Sequence, residues 1–151
     1  MIKYVDGNII GLAKSGWFDV IAHGANCFCT MSSGLAPQIK ENFPEAFAVD
    51  CETKKGDRAK LGTLSHTHNT KPVVCNLYTQ FGFWGRKKGI MDLDYDALRS
   101  SVRQMKEKFS GKKFGLPMIG SKLAGGDWNI IEKIIEEEMV GEDVTVVRYK
   151  I

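Results

Sequence analysis

The chain of 151 residues has no hydrophobic run approaching the roughly 20 residues that cross a bilayer, so a membrane partner is not expected. Its opening "MIKYVDGN" has no apolar core of the kind a secretion signal carries, so a cytoplasmic location is expected. Cys27, Cys29, Cys51 and Cys75 are then expected to be reduced thiols. Strong charge of either sign is also missing. The net charge of +3 does not call for a polyanionic partner and is compatible with a small anionic ligand. Neither familiar nucleotide fingerprint occurs: there is no G-K-[ST] of a Walker loop and no G-x-G-x-x-G. No repeat, low-complexity tract or linker interrupts the chain, so residues 1–151 are read as a single domain. The C-x-C pair Cys27/Cys29 lacks a C-x₂-C partner. It would bind zinc only if it met the "HTH" pair His66/His68 in space. Alternating residues on a strand share a face for packing reasons alone, so no metal is expected.

What is present is an ordinary soluble composition, 43% hydrophobic and 26% charged. A chain this long buries a core without disulfide or metal staples. "MIKYV" reads as a strand ending at the turn signal "DGN". Val20–Ala22 fits a short buried strand. "LAPQIKENF" places Leu35, Ile39 and Phe43 four apart, a helical spacing, and Pro44 opens a second helical piece. "LGTLSHTH" and "VVCNLYTQ" read as two strands around the turn "NTKP", able to pair as a hairpin. "FGFWGRKKGIM" is a loop. "DYDALRSSVRQMKEKF" is an amphipathic helix, with Asp94 as N-cap and Leu98, Val102, Met105 and Phe109 on one stripe. "KFGLPMIG" is a strand. "DWNIIEKIIEEEM" is a helix with Ile130, Ile131, Ile134 and Ile135 toward the core, and "DVTVVRYK" closes as a strand. The alternation predicts an α/β fold, a three-layer α/β/α sandwich with a central mixed sheet.

Ligands of such sheets bind beyond the carboxyl ends of parallel strands. Two stretches lead from a strand into a helix: "HGANCFCTMSSG" (23–34) and "GSKLAGGD" (120–127). Both are rich in small residues. Glycine lets backbone N–H groups approach an anion, and a helix N-terminus adds partial positive charge. Side by side, the two loops would hold a diphosphate.

The ordered set "GN-I", "VIAHGANCFCTMSSGLAPQIK", "NLYTQ" and "LPMIGSKLAGGDW" resembles the macrodomain family, ADP-ribose-binding α/β/α domains of this length. The resemblance covers nearly the whole chain. It is strongest to the branch containing ADP-ribose 1″-phosphate phosphatases and enzymes that remove acyl or ADP-ribosyl groups. It implies that Asn8 and Ile9 bind the ligand, with Asn8 at the adenine, replacing the aspartate usual there. Asn26 would contact the distal ribose. Ser32, Ser33, Gly34 and Leu35 would form the first phosphate loop, and Ser121, Lys122, Leu123, Ala124, Gly125 and Gly126 the second. Gln80 would face the distal ribose, where some hydrolases of the branch carry a catalytic lysine. Glutamine cannot act as that nucleophile. Ala124 stands where an aromatic or acidic residue is frequent, and Lys122 where glycine is usual.

The implied function is a metal-independent hydrolase of ADP-ribose derivatives, with ADP-ribose 1″-phosphate as substrate, a small-molecule ligand and no cofactor. Asp127 and His23 would divide the acid–base work. Each also has a structural reading: Asp127 as N-cap of the last helix, His23 as a satisfied core residue. Lys122 is either a surface residue or a cation facing phosphate. One alternative is an ADP-ribosyl hydrolase or O-acyl-ADP-ribose deacylase. Another is a binding module without turnover. A third uses "QFGFWGRKKG" to bind single-stranded nucleic acid, against the simpler reading that Phe81, Phe83 or Trp84 lids the cleft or packs locally. A thiol nucleophile at Cys27 or Cys29 is disfavoured, because the sequence places no base beside them.

Overall fold

The computed structural model describes residues 2–150. Met1 of the expected first strand and Ile151 of the expected domain lie outside the described residues. The chain forms β1 (Lys3–Gly7), α1 (Ile9–Lys14), β2 (Val20–Ala25), α2 (Ala36–Asn42), α3 (Pro44–Cys51), β3 (Leu64–His66), β4 (Val73–Tyr78), α4 (Tyr95–Phe109), β5 (Lys113–Pro117), α5 (Trp128–Glu138) and β6 (Asp143–Tyr149). The strands make one mixed sheet in the order β1-β6-β5-β2-β4-β3. All neighbours are parallel except β3, which pairs antiparallel with β4 through Leu64↔Leu77, Ser65↔Asn76 and His66↔Cys75. The expected hairpin is therefore present.

Alternation along the strands sends side chains into two apolar layers. Val20 and Ala22 of β2, Leu116 of β5 and Val146 of β6 meet Leu98, Val102 and Met105 of α4 and Ile131, Ile134 and Ile135 of α5. On the opposite face Ile21, Val74 and Val147 meet Ile9, Ile10 and Ala13 of α1, Ile39 of α2 and Ala46 of α3. This is the predicted α/β/α sandwich. Burying each of the three core isoleucines of α5 contributes about 1.5–3 kcal/mol. Ile130 corrects the sequence reading: it is 44% exposed, because the buried stripe is 131, 134, 135 and residue 130 falls at its edge.

Three local features place the site. Helix α1 was not anticipated; Asn8 caps it, its Oδ1 accepting from Ile10 N at 2.9 Å. Strand β2 runs on to Ala25, so His23 belongs to the strand and not to the loop. Gly24 is required there, since a Cβ would lie 2.9 Å from Thr79 Oγ1. From β2 the chain moves outward to β4 and β3, and afterwards it returns to β5 on the other side of β2. The helices after β2 and β5 thus cover opposite faces of adjacent strands, which opens a crevice between them.

Candidate ligand-binding site

A cavity of about 600 Å³ fills this crevice, above the carboxyl ends of all five parallel strands. Its wall takes residues from the end of β1 (Gly7, Asn8), of β2 (His23 to Asn26), of β5 (Pro117 to Gly120), of β6 (Val147, Tyr149), and Gln80 beyond β4. Ser33, Gly34 and Leu35 close one side, and Lys122, Leu123 and Ala124 close another. The two loops also touch: a Cβ on Gly34, whose φ is +67°, would lie 3.1 Å from Leu123 Cδ1. Of the residues expected at the site, Asn8, Ile9, His23, Asn26, Ser33, Gly34, Leu35, Gln80, Lys122, Leu123 and Ala124 line the cavity together. Ser32, Ser121, Gly125, Gly126 and Asp127 do not.

The reasons are local. Gly126 N–H donates to Gly120 O at 2.7 Å and Gly125 N–H to Lys122 O at 3.2 Å. Both glycines therefore close their own turn instead of presenting N–H groups to an anion. Gly126 is pressed so tightly that a Cβ would lie 2.3 Å from Leu93 Cδ2. Ser121 Oγ donates to Met118 O at 2.8 Å. Asp127 is the N-cap of α5, with its carboxylate accepting from Asn129 N at 2.9 Å and its own N–H donating to Tyr95 OH at 3.0 Å. The expected Asp127–His23 pair is not assembled: Asp127 caps a helix outside the cavity wall.

Asn26 lines the cavity, but both ends of its amide organise the following loop. Nδ2 donates to Thr30 O at 2.9 Å, and Oδ1 accepts from Phe28 N at 2.8 Å. Gln80 Nε2 donates to Gly82 O at 2.7 Å, which leaves Oε1 without a protein partner among the described residues.

His23 is the buried titratable group of the wall, only 2% exposed. Its Nε2 lies 2.7 Å from Asn76 Oδ1. The amide of Asn76 is oriented by its other bonds, Nδ2 donating to Ala46 O at 2.9 Å and to Ser65 Oγ at 3.0 Å. Oδ1 is thus an acceptor and His23 Nε2 carries the proton. The series continues: Ser65 Oγ lies 2.8 Å from Tyr78 OH, which donates to Asp50 Oδ1 at 2.7 Å. Along this series each group donates to the next, from His23 through Asn76, Ser65 and Tyr78 to Asp50. Burial pushes the His23 pKa below its ordinary 6.5, and the Asn76 bond opposes this more weakly. The imidazole is neutral at pH 7, with Nδ1 bare of protein partners among the described residues.

Phe83 and Trp84, expected either to lid the cleft or to pack locally, line the cavity. The structure adds wall residues that sequence reasoning did not place: Arg86, Lys87 and Asp92 from the segment after Gln80, and Tyr149 from the end of β6. Phe81 packs locally, its ring 4.9 Å from Phe28 and under the Arg58 guanidinium at 4.0 Å. Alternating aromatic and basic residues were the only signal for this segment. Cys27 and Cys29 direct their thiols to Gln80 O and Asp50 O. Among the described residues no group of three His, Cys, Asp or Glu side chains is arranged to hold a metal ion. No described helix is long and apolar enough to cross a membrane.

An α/β/α sandwich whose cavity sits over the strand ends, between a β2 loop and a β5 loop, defines a class, and comparison with known proteins agrees. No protein-family model matches the chain. An uncharacterized 17.5 kDa protein of the tk–vs intergenic region of Enterobacteria phage T4 is 34% identical, over 99% of this chain and 97% of the relative. The ADP-ribose 1″-phosphate phosphatase of Saccharomyces cerevisiae (strain YJM789) is 27% identical, over 90% of this chain and 92% of the enzyme. The solved Trypanosoma brucei macrodomain in complex with ADP-ribose superposes with a TM-score of 0.70 at 16% identity, over 99% of this chain and 64% of that one. The chain has the macrodomain fold.

Proposed function

We propose that this protein binds ADP-ribose derivatives in the cavity and hydrolyses the terminal phosphate of ADP-ribose 1″-phosphate. The observation that carries the proposal is the pairing of a bare, neutral imidazole nitrogen with a cavity of nucleotide size lined by unpaired cations. The 27% identical yeast phosphatase supports the choice of substrate. The Ser33–Leu35 backbone and the Lys122–Ala124 backbone would bracket the diphosphate. Their N–H groups make no backbone hydrogen bonds among the described residues, unlike those of Gly125 and Gly126.

In the proposed reaction, water attacks phosphorus and the bond from phosphorus to the anomeric oxygen breaks. His23 Nδ1 takes the proton from water, and the leaving anomeric oxygen receives one from solvent. The products are ADP-ribose and inorganic phosphate. Phosphoryl transfer depends mainly on positioning and charge stabilisation, so a base and a few donors suffice for a modest rate. Asp127 has no direct part in this version, because it caps α5. The Asn76–Ser65–Tyr78–Asp50 chain holds the His23 tautomer and is not itself at the reacting atoms.

A second reading, ADP-ribose binding without turnover, is favoured by Gln80 at the lysine position and by Asp127 lying outside the wall. A lysine-based ADP-ribosyl hydrolase is disfavoured by the same glutamine, and an O-acyl-ADP-ribose deacylase stays open to the same assay. Phosphate release from ADP-ribose 1″-phosphate separates these readings. Wild type is expected to release phosphate, and His23→Gln to release at least tenfold less, within the range of a lost general base. Equal release by both would overturn the role of His23. Tight ADP-ribose binding with no product from any derivative would establish the second reading.

A further inference from the structure

Lys122 was the cation that the sequence singled out, but it is not alone. Arg86 and Lys87 also line the cavity. None of the three forms an ion pair among the described residues. The acid in the same wall, Asp92, is already engaged: both its oxygens accept from Gly85 N at 3.1 Å. The wall therefore carries three cations without an ion-pair partner among the described residues against one carboxylate held by a backbone donor, an excess of positive charge.

Arg86 and Lys87 sit on a built turn. Gly85–Lys88 forms a 3-10 turn closed by Ile90 N to Gly85 O at 2.9 Å and by Gly89, at φ +66°, bonding back to Arg86 O at 3.2 Å. Gly85 admits no side chain, since a Cβ would lie 2.6 Å from Asp92 Oδ1. The Trp84 ring covers Gly82 and meets Phe28 edge-on at 5.2 Å. A bridge between Gln80 and Leu93 ties the root of the segment. Asp92 N and Leu93 N both donate to Ala124 O, at 3.0 and 3.1 Å, so the segment is fastened to the loop that carries Lys122. Two cavity-lining cations thus come from one fastened segment and a third from the adjoining loop.

We infer that Arg86 and Lys87, with Lys122 on the adjoining loop, form the subsite for the terminal phosphomonoester and select a dianion there over the free hydroxyl of ADP-ribose. This rests on the proposal that the cavity binds ADP-ribose derivatives. A phosphomonoester offers several acceptor oxygens. The planar guanidinium of Arg86 matches two of them, while Lys87 and Lys122 add compact charge. ADP-ribose without the phosphate leaves this end to water. These residues act on which ligand is held, whereas His23 acts on the proton.

The test compares two ligands at pH 8 by calorimetry: ADP-ribose, and its 1″-methylenephosphonate analogue, which keeps the dianion without a scissile P–O bond. Wild type is expected to prefer the phosphonate. The double variant Arg86→Gln/Lys87→Gln is expected to lose that preference by on the order of tenfold or more while ADP-ribose affinity stays within about twofold. Lys88→Gln, in the same turn but outside the cavity wall, is the control for a general charge effect and is expected to keep the preference. An unchanged preference in the double variant overturns the subsite. So does an equal loss for both ligands, which would place Arg86 and Lys87 at the diphosphate. So does an equal effect of Lys88→Gln. Wild type that binds neither ligand overturns the reading of the cavity itself, and the subsite with it.

Discussion

His23 on β2 and Asn76 on β4 face each other in register across two adjacent parallel strands, with Nε2 and Oδ1 2.7 Å apart and fully buried. The pair is the inner end of a hydrogen-bond series that reaches Asp50 through Ser65 and Tyr78. Asn76 also holds the Ala46 carbonyl of α3. Asn76→Ala leaves those buried partners unsatisfied, and urea denaturation is expected to show a loss of about 1–3 kcal/mol. Phosphate release by the folded variant is expected to fall more than its affinity for ADP-ribose, because the imidazole loses its orientation. Equal stability would mean that the network contributes nothing net.

The depressed His23 pKa gives a signed prediction for stability. The unfolded chain takes up a proton near 6.5, while burial keeps the folded imidazole neutral to lower pH. Between those two values the unfolded state binds more protons, so stability is full above 6.5 and falls as pH drops through that window. His23→Gln removes this contribution. The difference in unfolding free energy between wild type and His23→Gln is expected to shrink as pH falls from 7 to 5. A difference independent of pH would show that His23 titrates normally in the fold.

Activity follows the same sign. A base must be unprotonated, and the folded pKa lies below 6.5. The kcat/KM profile for phosphate release is therefore expected to stay flat down through pH 6.5 and to decline only at lower pH. An acid limb centred at or above 6.5 would exclude His23 as the base.

Asp127 separates a cap from a catalyst. Asparagine caps a helix as well as aspartate does, and alanine does not. Asp127→Asn is expected to leave both stability and phosphate release unchanged. Asp127→Ala is expected to cost about 1 kcal/mol in denaturation with kcat preserved. A large drop in kcat for Asp127→Asn, with stability intact, would restore the carboxylate to the chemistry.

Gly126 tests the second loop. A methyl group there would meet Leu93 Cδ2 at 2.3 Å and Gly120 O at 2.8 Å. Gly126→Ala is expected to destabilise the fold by about 1–3 kcal/mol, as overpacking does, and to weaken ADP-ribose binding by displacing Lys122–Ala124. Wild-type affinity in a variant of lowered stability would detach that loop from the ligand.

The sandwich was legible because its long elements carry their own periodicity and caps. Asp94 before Leu98/Val102/Met105 and Asp127 before Ile131/Ile134/Ile135 are caps followed by core stripes, and both helices form there. Helix α1 was not legible, since six residues are under two turns and show no repeating stripe. Site composition was read partly from small residues, which mark a tight loop without saying which N–H groups stay free. Ser33 to Leu35 keep theirs from backbone partners among the described residues, whereas Gly125 and Gly126 use theirs at Lys122 and Gly120. Arg86 and Lys87 were visible only as charges in a loop. Their direction depends on Asp92 bonding Gly85 and on Ala124 bonding Asp92, pairings that no local pattern announces. Asn26 shows the converse: a residue rightly brought to the cavity wall, with its amide turned to hold Phe28 and Thr30.

The central claim is that the crevice between the β2 and β5 loops receives ADP-ribose. The most direct measurement is a calorimetric titration of the wild-type protein with ADP-ribose, repeated on Gly34→Trp, whose indole would be driven into the crevice against Leu123. One-to-one binding by wild type that is abolished in the folded Gly34→Trp variant is the predicted result. Absence of binding by wild type, or equal binding by the two proteins, would contradict the account.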